Sequence, residues 1–185
     1  VLLGLLALLV QGSAGFGKAQ ADALTEANQL LVLLILGASF MGSALSVREI
    51  ISERAIYQRE SAVGLGSGQY VASKLVLFGV ETLIQSVILL AVLLLGKPGP
   101  GAGTIFGSGA FELGLVVWLT TWTSAMLGLL VSSLVRSTEQ TMPALVVLVM
   151  SQFVMSGGMI AVSENVLHQG LAAMFGGRWG FAAAA

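Results

Sequence analysis

Long apolar runs, broken by one strongly charged stretch, constrain this chain more than any other feature. Four runs could each cross the roughly 30 Å hydrocarbon layer of a bilayer as a helix of about 20 residues, and Glu81 is the only charged residue inside them. Only 9% of the residues are charged, against about 25% in soluble domains. The sequence therefore predicts an all-α integral membrane protein, a polytopic helical bundle, because a backbone in lipid must satisfy its own hydrogen bonds. The runs cover residues 28–47, 75–96, 113–135 and 141–162.

A fifth apolar run lies at the start of the sequence, at residues 1–10. As a helix it would be only about 15 Å long, half the thickness of the hydrocarbon layer. The sequence also starts at Val1 rather than at a methionine. We therefore expect a truncated first membrane helix, and a single transmembrane domain over 1–185 that is a fragment. A signal peptide is the alternative interpretation, but the run lacks the preceding basic residues that such a peptide carries.

The basic residues predict which loops face the cytoplasm. With five spans in order, the loops at 48–74 and 136–140 share one side of the membrane, and five of the eight Lys and Arg residues lie there. The opposite side of the membrane is predicted to hold residues 11–27, residues 97–112 and the tail after Ser163. Since cytoplasmic loops carry an excess of Lys and Arg, residues 48–74, here called the charged insert, are predicted to be cytoplasmic. We expect a multi-pass protein of the plasma membrane.

Several kinds of chemistry are excluded or disfavoured. The sequence contains no cysteine, so disulfides and thiol catalysis are absent. Residues 12–19 match a phosphate-binding loop except at Ala19, which stands where a Ser or Thr would hold magnesium. His168 is the only histidine and lacks the clustered ligands of a metal site. We expect no catalytic site and no cofactor in this stretch, and no nucleic-acid partner.

The charged insert is expected to begin with a helix over residues 47–60. Its apolar side chains lie near one helical face, opposite most of its charges. The glycine-rich stretch 64–68 should break this helix, and Ser67 could cap a second short helix leading into the next span. The first helix could rest on lipid headgroups as an interfacial amphipathic helix, or it could dock a soluble partner.

Motifs in the insert and near the end of the sequence resemble a known family. The run Glu53-Arg54-Ala-Ile-Tyr57-Gln-Arg59-Glu60, followed by Tyr70-Val-Ala-Ser73-Lys74, resembles the signature after the second membrane helix of ABC exporters of the type-2, G-subfamily-like class. Arg178-Trp179-Gly-Phe181 is similar to the external segment between the fifth and sixth helices of such permeases. The whole chain is similar to actinobacterial half-transporters that join ABC and forkhead-associated domains to this permease.

The resemblance implies an architecture and a mechanism. The fold would be a type-2 ABC exporter transmembrane domain, with five of its six spans present. The insert would be the coupling region that contacts an ABC nucleotide-binding domain, in the same polypeptide or in a separate chain, where ATP and Mg would bind. Two copies, as a homodimer, would enclose one path, in contact with membrane lipid. The matching coupling residues are Glu53, Arg54, Tyr57, Arg59 and Glu60.

The scarcity of charge inside the spans favours an apolar or amphipathic cargo, such as a lipid, glycolipid or drug. Glu81 is a candidate for the transport path, because a carboxylate inside a membrane span is costly and is a functional hypothesis by default. A structural polar contact with Lys74 or Arg136 is the equal alternative. Gln85 lies one turn further on the same face, and Gln152 and Phe153 could line a central cavity. The alternatives are a non-transporting anchor or scaffold that binds a soluble partner through the insert, and an ion-coupled carrier that uses Glu81.

Two packing interpretations also follow from residue type and position. Trp118 and Trp122 lie well inside their span, so we expect them to pack within the bundle rather than at the membrane interface. Ala38 and Gly42 have the four-residue spacing of small residues that allows two membrane helices to approach closely.

Overall fold

The computed structural model describes residues 21–96, 108–155 and 176–184, and within these ranges all the regular elements are helices. A single 3₁₀ turn, Thr138–Gln140, precedes the fifth α-helix. By length and composition, three helical stretches of the described part could cross a membrane: Leu30–Ala62, Ser67–Leu95 and Gly109–Leu134. The predicted all-α membrane bundle is thus confirmed. The helices are α1 (Ala21–Ser46), α2 (Glu49–Ala62), α3 (Ser67–Gly96), α4 (Gly109–Leu134), α5 (Thr141–Met155) and α6 (Gly176–Ala184).

The predicted spans map onto these helices with shifted ends. The span predicted at 75–96 forms the later part of α3, which already begins at Ser67. The span predicted at 141–162 is described as α5 up to Met155, and its last residues lie outside the described ranges. The run at 1–10, the loop at 12–19 and His168 also lie outside them.

The centre of the bundle is the contact between α1 and α4, where small residues bring the two backbones together. A Cβ on Gly42 would overlap the carbonyl oxygen of Thr121, and a Cβ on Gly128 would overlap the hydroxyl of Ser46. Ala38 has no exposed surface and belongs to the apolar cluster shared by α1, α3 and α4. The predicted packing role of Ala38 and Gly42 is confirmed.

Hydroxyl side chains buried in this core are satisfied mainly by the backbone of their own helix. Thr121 Oγ1 donates to the Val117 carbonyl at 2.7 Å, and Thr82 Oγ1 donates to the Phe78 carbonyl at 2.6 Å. Such bonds to the carbonyl four residues earlier let a polar residue occupy an apolar core. These bonds let the hydroxyls of Thr121 and Thr82 pack within the core.

The tryptophans join α3 to α4. Trp118 Nε1 donates to the Gly79 carbonyl at 3.0 Å, and Trp122 Nε1 donates to the Leu75 carbonyl at 3.3 Å. Their rings stack with centroids 5.9 Å apart. The predicted packing of both residues within the bundle is confirmed by these contacts between α3 and α4.

The segment Arg178–Phe181, predicted as an external segment, is helical. It belongs to α6, which packs against α1, α4 and α5, and its side of the membrane stays a prediction. Gly180 is buried, and a Cβ there would overlap the hydroxyl of Thr120 and approach Ile35. Because Thr120 and Ile35 lie near the middle of their helices, α6 reaches the depth of the bundle core. The missing Cβ of Gly180 allows this approach.

Candidate functional site

The charged insert folds as an elbow between α2 and α3. The elbow begins with a glycine-based helix end: Gly64 N–H donates to Ser61 O at 3.2 Å, and Leu65 N–H donates to Glu60 O at 3.1 Å. This pair of bonds is the Schellman motif, which needs a left-handed residue after the helix. Gly64 supplies it with φ of +114°. The glycine-rich stretch thus ends α2, as the sequence predicts.

The helix after the elbow starts differently from the prediction. Ser67 is already the first residue of α3, and the residue before it, Gly66, donates its N–H to Gln69 Oε1 at 3.3 Å. A side chain in the third helical position that reaches back to the N-cap amide is half of a capping box. There is accordingly no separate short helix, and the end of the insert and the following span form one continuous rod.

Lys74 holds α2 against this rod. Its ammonium lies 2.7 Å from Glu49 Oε1 and 2.7 Å from Glu53 Oε2. Tyr70 OH donates to Glu53 Oε2 at 2.8 Å, and the rings of Tyr57 and Tyr70 are 4.9 Å apart. Lys74 is 8% exposed, so its charge is screened less than that of a surface lysine. These contacts fix the position of α2 relative to the base of α3.

Contacts within the charged insert, outside the predicted spans, shift the pKa values of Glu53 and Tyr70. The hydrogen bond from Lys74 holds the pKa of Glu53 below its ordinary value of 4.5, against the opposing effect of burial. Burial, followed by the hydrogen bond to Glu53, raises the pKa of Tyr70 to about 12. At neutral pH Glu53 is therefore an acceptor for both groups, and Tyr70 remains a donor.

Three further contacts tie the start of α2 to α4 and α5. Arg54 Nη2 donates to the Val135 carbonyl at 3.2 Å, beyond the last residue of α4. The Ile51 amide donates to Ser132 Oγ at 3.2 Å. Arg48 Nε donates to Thr141 Oγ1 at 3.3 Å, at the first residue of α5. A guanidinium at the C-terminal end of a helix satisfies carbonyls that lack intrahelical partners and complements the helix dipole. We call these contacts, with those of Lys74, the brace.

The outer end of α2 is free of the brace. Arg59 and Glu60 are exposed, and Val63 is 91% exposed. They line an open groove of about 590 Å³ at the elbow, together with Gly64, Leu65 and Gln69. A charged pair beside an exposed valine is a surface that a soluble partner could cover. This groove is called the elbow groove below.

The structure therefore separates the five predicted coupling residues into two groups. Glu53, Arg54 and Tyr57 point into the brace, whereas Arg59 and Glu60 line the elbow groove. Their assignment to coupling stays a prediction. The sequence alone did not identify Arg48, Glu49 and Thr141 as residues of the brace. Glu49 and Lys74 do carry opposite charges within the insert, but only the elbow brings residues 25 positions apart to 2.7 Å.

The four predicted path residues do not form one cluster. Glu81 and Gln85 lie one turn apart on α3, both half-buried. Gln152, on α5, is 1% exposed. It accepts from Ser124 Oγ at 2.8 Å and donates to Ser43 Oγ at 3.1 Å, so it joins α1, α4 and α5. Phe153 is half-buried on the same helix. The place of these four residues in a transport path stays a prediction.

Comparisons with known proteins agree on the kind of protein this is. The sequence profile of the family described as ABC-2 type transporter matches residues 1–175. The chain is 45% identical over 187 aligned residues to the ABC transporter ATP-binding/permease protein Rv1747 of Mycobacterium tuberculosis. That alignment covers 100% of this chain and 22% of the relative, so the chain spans about a fifth of the relative's length. No solved structure matches the chain.

Proposed function

The chain belongs to the ABC-2 type transporter family, and we propose that it is the permease part of an ATP-driven exporter of apolar or amphipathic molecules. The family match agrees with the resemblance drawn from the insert motifs. The ATP-binding domain, ATP with Mg, a second permease copy and the plasma membrane complete this proposal. The mycobacterial relative is named as an ATP-binding/permease protein, which supports a nucleotide-binding partner for this chain.

The observation that carries the proposal is the brace. The short helix α2 contacts α3 through Lys74 and the C-terminal end of α4 through Arg54, and Arg48, the residue before α2, contacts α5. A push on α2 would reach these three helices together, without an intervening flexible loop. That is what a coupling element requires, because the force from a partner must act on the bundle and not be absorbed locally.

The surface left outside the brace gives the partner a place to bind. The elbow groove presents Arg59 and Glu60 beside the exposed Val63. In this proposal the nucleotide-binding domain covers the groove, and closure of two such domains displaces α2. The paucity of charge in the spans supports an apolar or amphipathic cargo, since a strongly charged cargo would need paired groups along its path.

Site-specific crosslinking in the full-length protein tests the docking step. Because this stretch contains no cysteine, Val63→Cys adds a single thiol to it. We expect a bifunctional reagent to join this position to the nucleotide-binding domain, and ATP to change the yield. Leu95→Cys, which is 87% exposed at the opposite end of α3, is the matched control. Equal crosslinking at both positions would contradict the docking surface.

ATP hydrolysis tests coupling. In full-length protein in lipid bilayers, Arg54→Ala and Glu60→Ala should fold and bind ATP but lose most of the cargo-stimulated hydrolysis. A full-length protein that hydrolyses no ATP, alone or with a co-purifying subunit, would refute the exporter proposal.

A further inference from the structure

Two hydrogen-bond acceptors on α3 have no donor within the described part of the chain. Gln85 Oε1 is the single buried side-chain nitrogen or oxygen there that lacks a hydrogen-bond partner. Glu81, one turn earlier, forms no hydrogen bond or ion pair with any described residue. A buried polar group without a partner raises the free energy of the structure, and a carboxylate inside a span does so too. Neither group has a donor among the residues that the structure describes.

The two acceptors share one side of α3. Residues four apart on a helix face the same direction, so Glu81 and Gln85 form a pair along the helix axis. Trp118 contacts the backbone of Gly79 on another side of the helix, so its indole N–H is not directed at the pair. The basic residue nearest in sequence, Lys74, is already held by Glu49 and Glu53. No basic residue of the same helix neutralises Glu81.

Apolar side chains flank the pair on α3, and those on one side of it are exposed. Val80 is 55% exposed and Ile84 is 56% exposed, whereas Phe78 and Thr82 beside them are buried. The pair thus lies on the border between the packed face of α3 and its exposed apolar face. Glu81 is seven residues beyond Lys74, about 10 Å along the helix. A ligand at this depth reaches the pair from within the membrane, so it needs an apolar body.

We propose that Glu81 and Gln85 bind the protonated amine of a cationic amphipathic molecule. The Gln85 side chain would rotate so that its buried oxygen reaches the helix surface. The ammonium group would then neutralise the Glu81 carboxylate and donate to Gln85 Oε1, while its apolar chain lies against the exposed face of α3. A neutral hydroxyl could donate to Gln85 but would leave the carboxylate uncompensated, so a cation fits the pair better than a polyol. This inference rests on the proposed function, because it names the cargo class of that exporter.

Binding to the full-length protein in lipid nanodiscs tests the site directly. The probes are radiolabelled octadecylamine and octadecanol, which share one chain and differ in the head group. Wild type is expected to bind the amine at least tenfold more tightly than the alcohol. Glu81→Gln should remove this preference, and Gln85→Leu should weaken amine binding. Glu139→Gln, which removes a carboxylate from the exposed 3₁₀ turn, is the charge-matched control and should bind as wild type does.

Equal affinity of wild type for the two probes would overturn the inference, as would an unchanged amine preference in Glu81→Gln. Loss of a stable dimer in Gln85→Leu with unchanged amine binding would also overturn it, because the missing donor would then come from a second copy. ATP hydrolysis separates this inference from the proposed function. Selective amine binding without any ATP hydrolysis would refute the exporter proposal but support the binding site at Glu81 and Gln85. Lipid-stimulated hydrolysis without amine selectivity refutes the site and keeps the exporter.

Discussion

Arg54 donates a hydrogen bond from its guanidinium to the carbonyl oxygen of Val135, 3.2 Å away and just past the last residue of α4. The same nitrogen lies 3.5 Å from the carbonyl oxygen of Ser133. Arg54 therefore connects the insert to the end of a membrane helix, instead of projecting toward a soluble partner. In the proposed exporter its role is to transmit movement, and the neighbouring elbow groove provides the docking surface.

Replacement of Arg54 should uncouple the insert without unfolding the bundle. Arg54→Ala removes a charged donor to carbonyls at a partly exposed helix end, so we expect a loss of about 1 kcal/mol in unfolding free energy and a severalfold fall in cargo-stimulated ATP hydrolysis. Arg54→Lys keeps the charge but lacks the rigid, planar guanidinium whose Nη2 lies near two carbonyls, and should recover only part of the stimulation. The measurement is ATP hydrolysis in lipid with and without cargo. Full stimulation in Arg54→Ala would argue against transmission through this contact.

Acid should weaken the contact between Lys74 and Glu53. The pKa of Glu53 is lower in the folded protein than its ordinary value of 4.5, so the ion pair stabilises the fold above that value. This contribution is lost as the pH falls through the lower, folded-state pKa. Because the Glu53 side chain is 33% exposed, we expect Glu53→Gln to cost less than about 1 kcal/mol at pH 7. Thermal unfolding against pH measures this, and the difference between wild type and variant should vanish in acid. A difference that grows in acid would contradict the assignment.

Gly128 should be intolerant of even one methyl group. The Cβ of an alanine there would overlap the hydroxyl of Ser46 and crowd the backbone of Ser43, forcing α1 and α4 apart. We expect Gly128→Ala to reduce the unfolding free energy by about 1–3 kcal/mol, the usual cost of overpacking. Gly68→Ala is the matched control, since nothing lies within 4 Å of a Cβ there. Comparable melting temperatures for the two variants would show that α1 and α4 can separate at no cost.

Gln152 provides a test that separates packing from cargo contact. Its amide bonds to Ser124 and Ser43, so Gln152→Leu leaves two buried hydroxyls with fewer partners. We expect a loss of about 1–3 kcal/mol in unfolding free energy, with cargo selectivity unchanged in the protein that remains folded. The measurements are thermal unfolding and the relative stimulation of ATP hydrolysis by several cargoes. Altered selectivity with an unchanged melting temperature would instead place Gln152 in the transport path.

The sequence by itself determined the helical membrane fold, because long apolar runs in lipid must satisfy their backbone hydrogen bonds within helices. It also placed the break after α2, since Gly64 has the left-handed conformation that ends this helix. The positions of Trp118, Ala38 and Gly42 in the packed bundle followed from residue size and depth, and the structure confirmed them.

Only the tertiary structure decided which residues of the insert brace the bundle and which remain exposed. The pairing of Lys74 with Glu49, and of Arg54 with Val135, depends on the angle of the elbow and on where α4 ends. Helical periodicity carries no information about contacts between residues 25 or 81 positions apart. The depth of α6 was likewise hidden, because it depends on the space that Gly180 leaves for Thr120 on another helix. Local sequence sets the conformation of each segment, while the neighbours of a side chain are set by how whole helices pack.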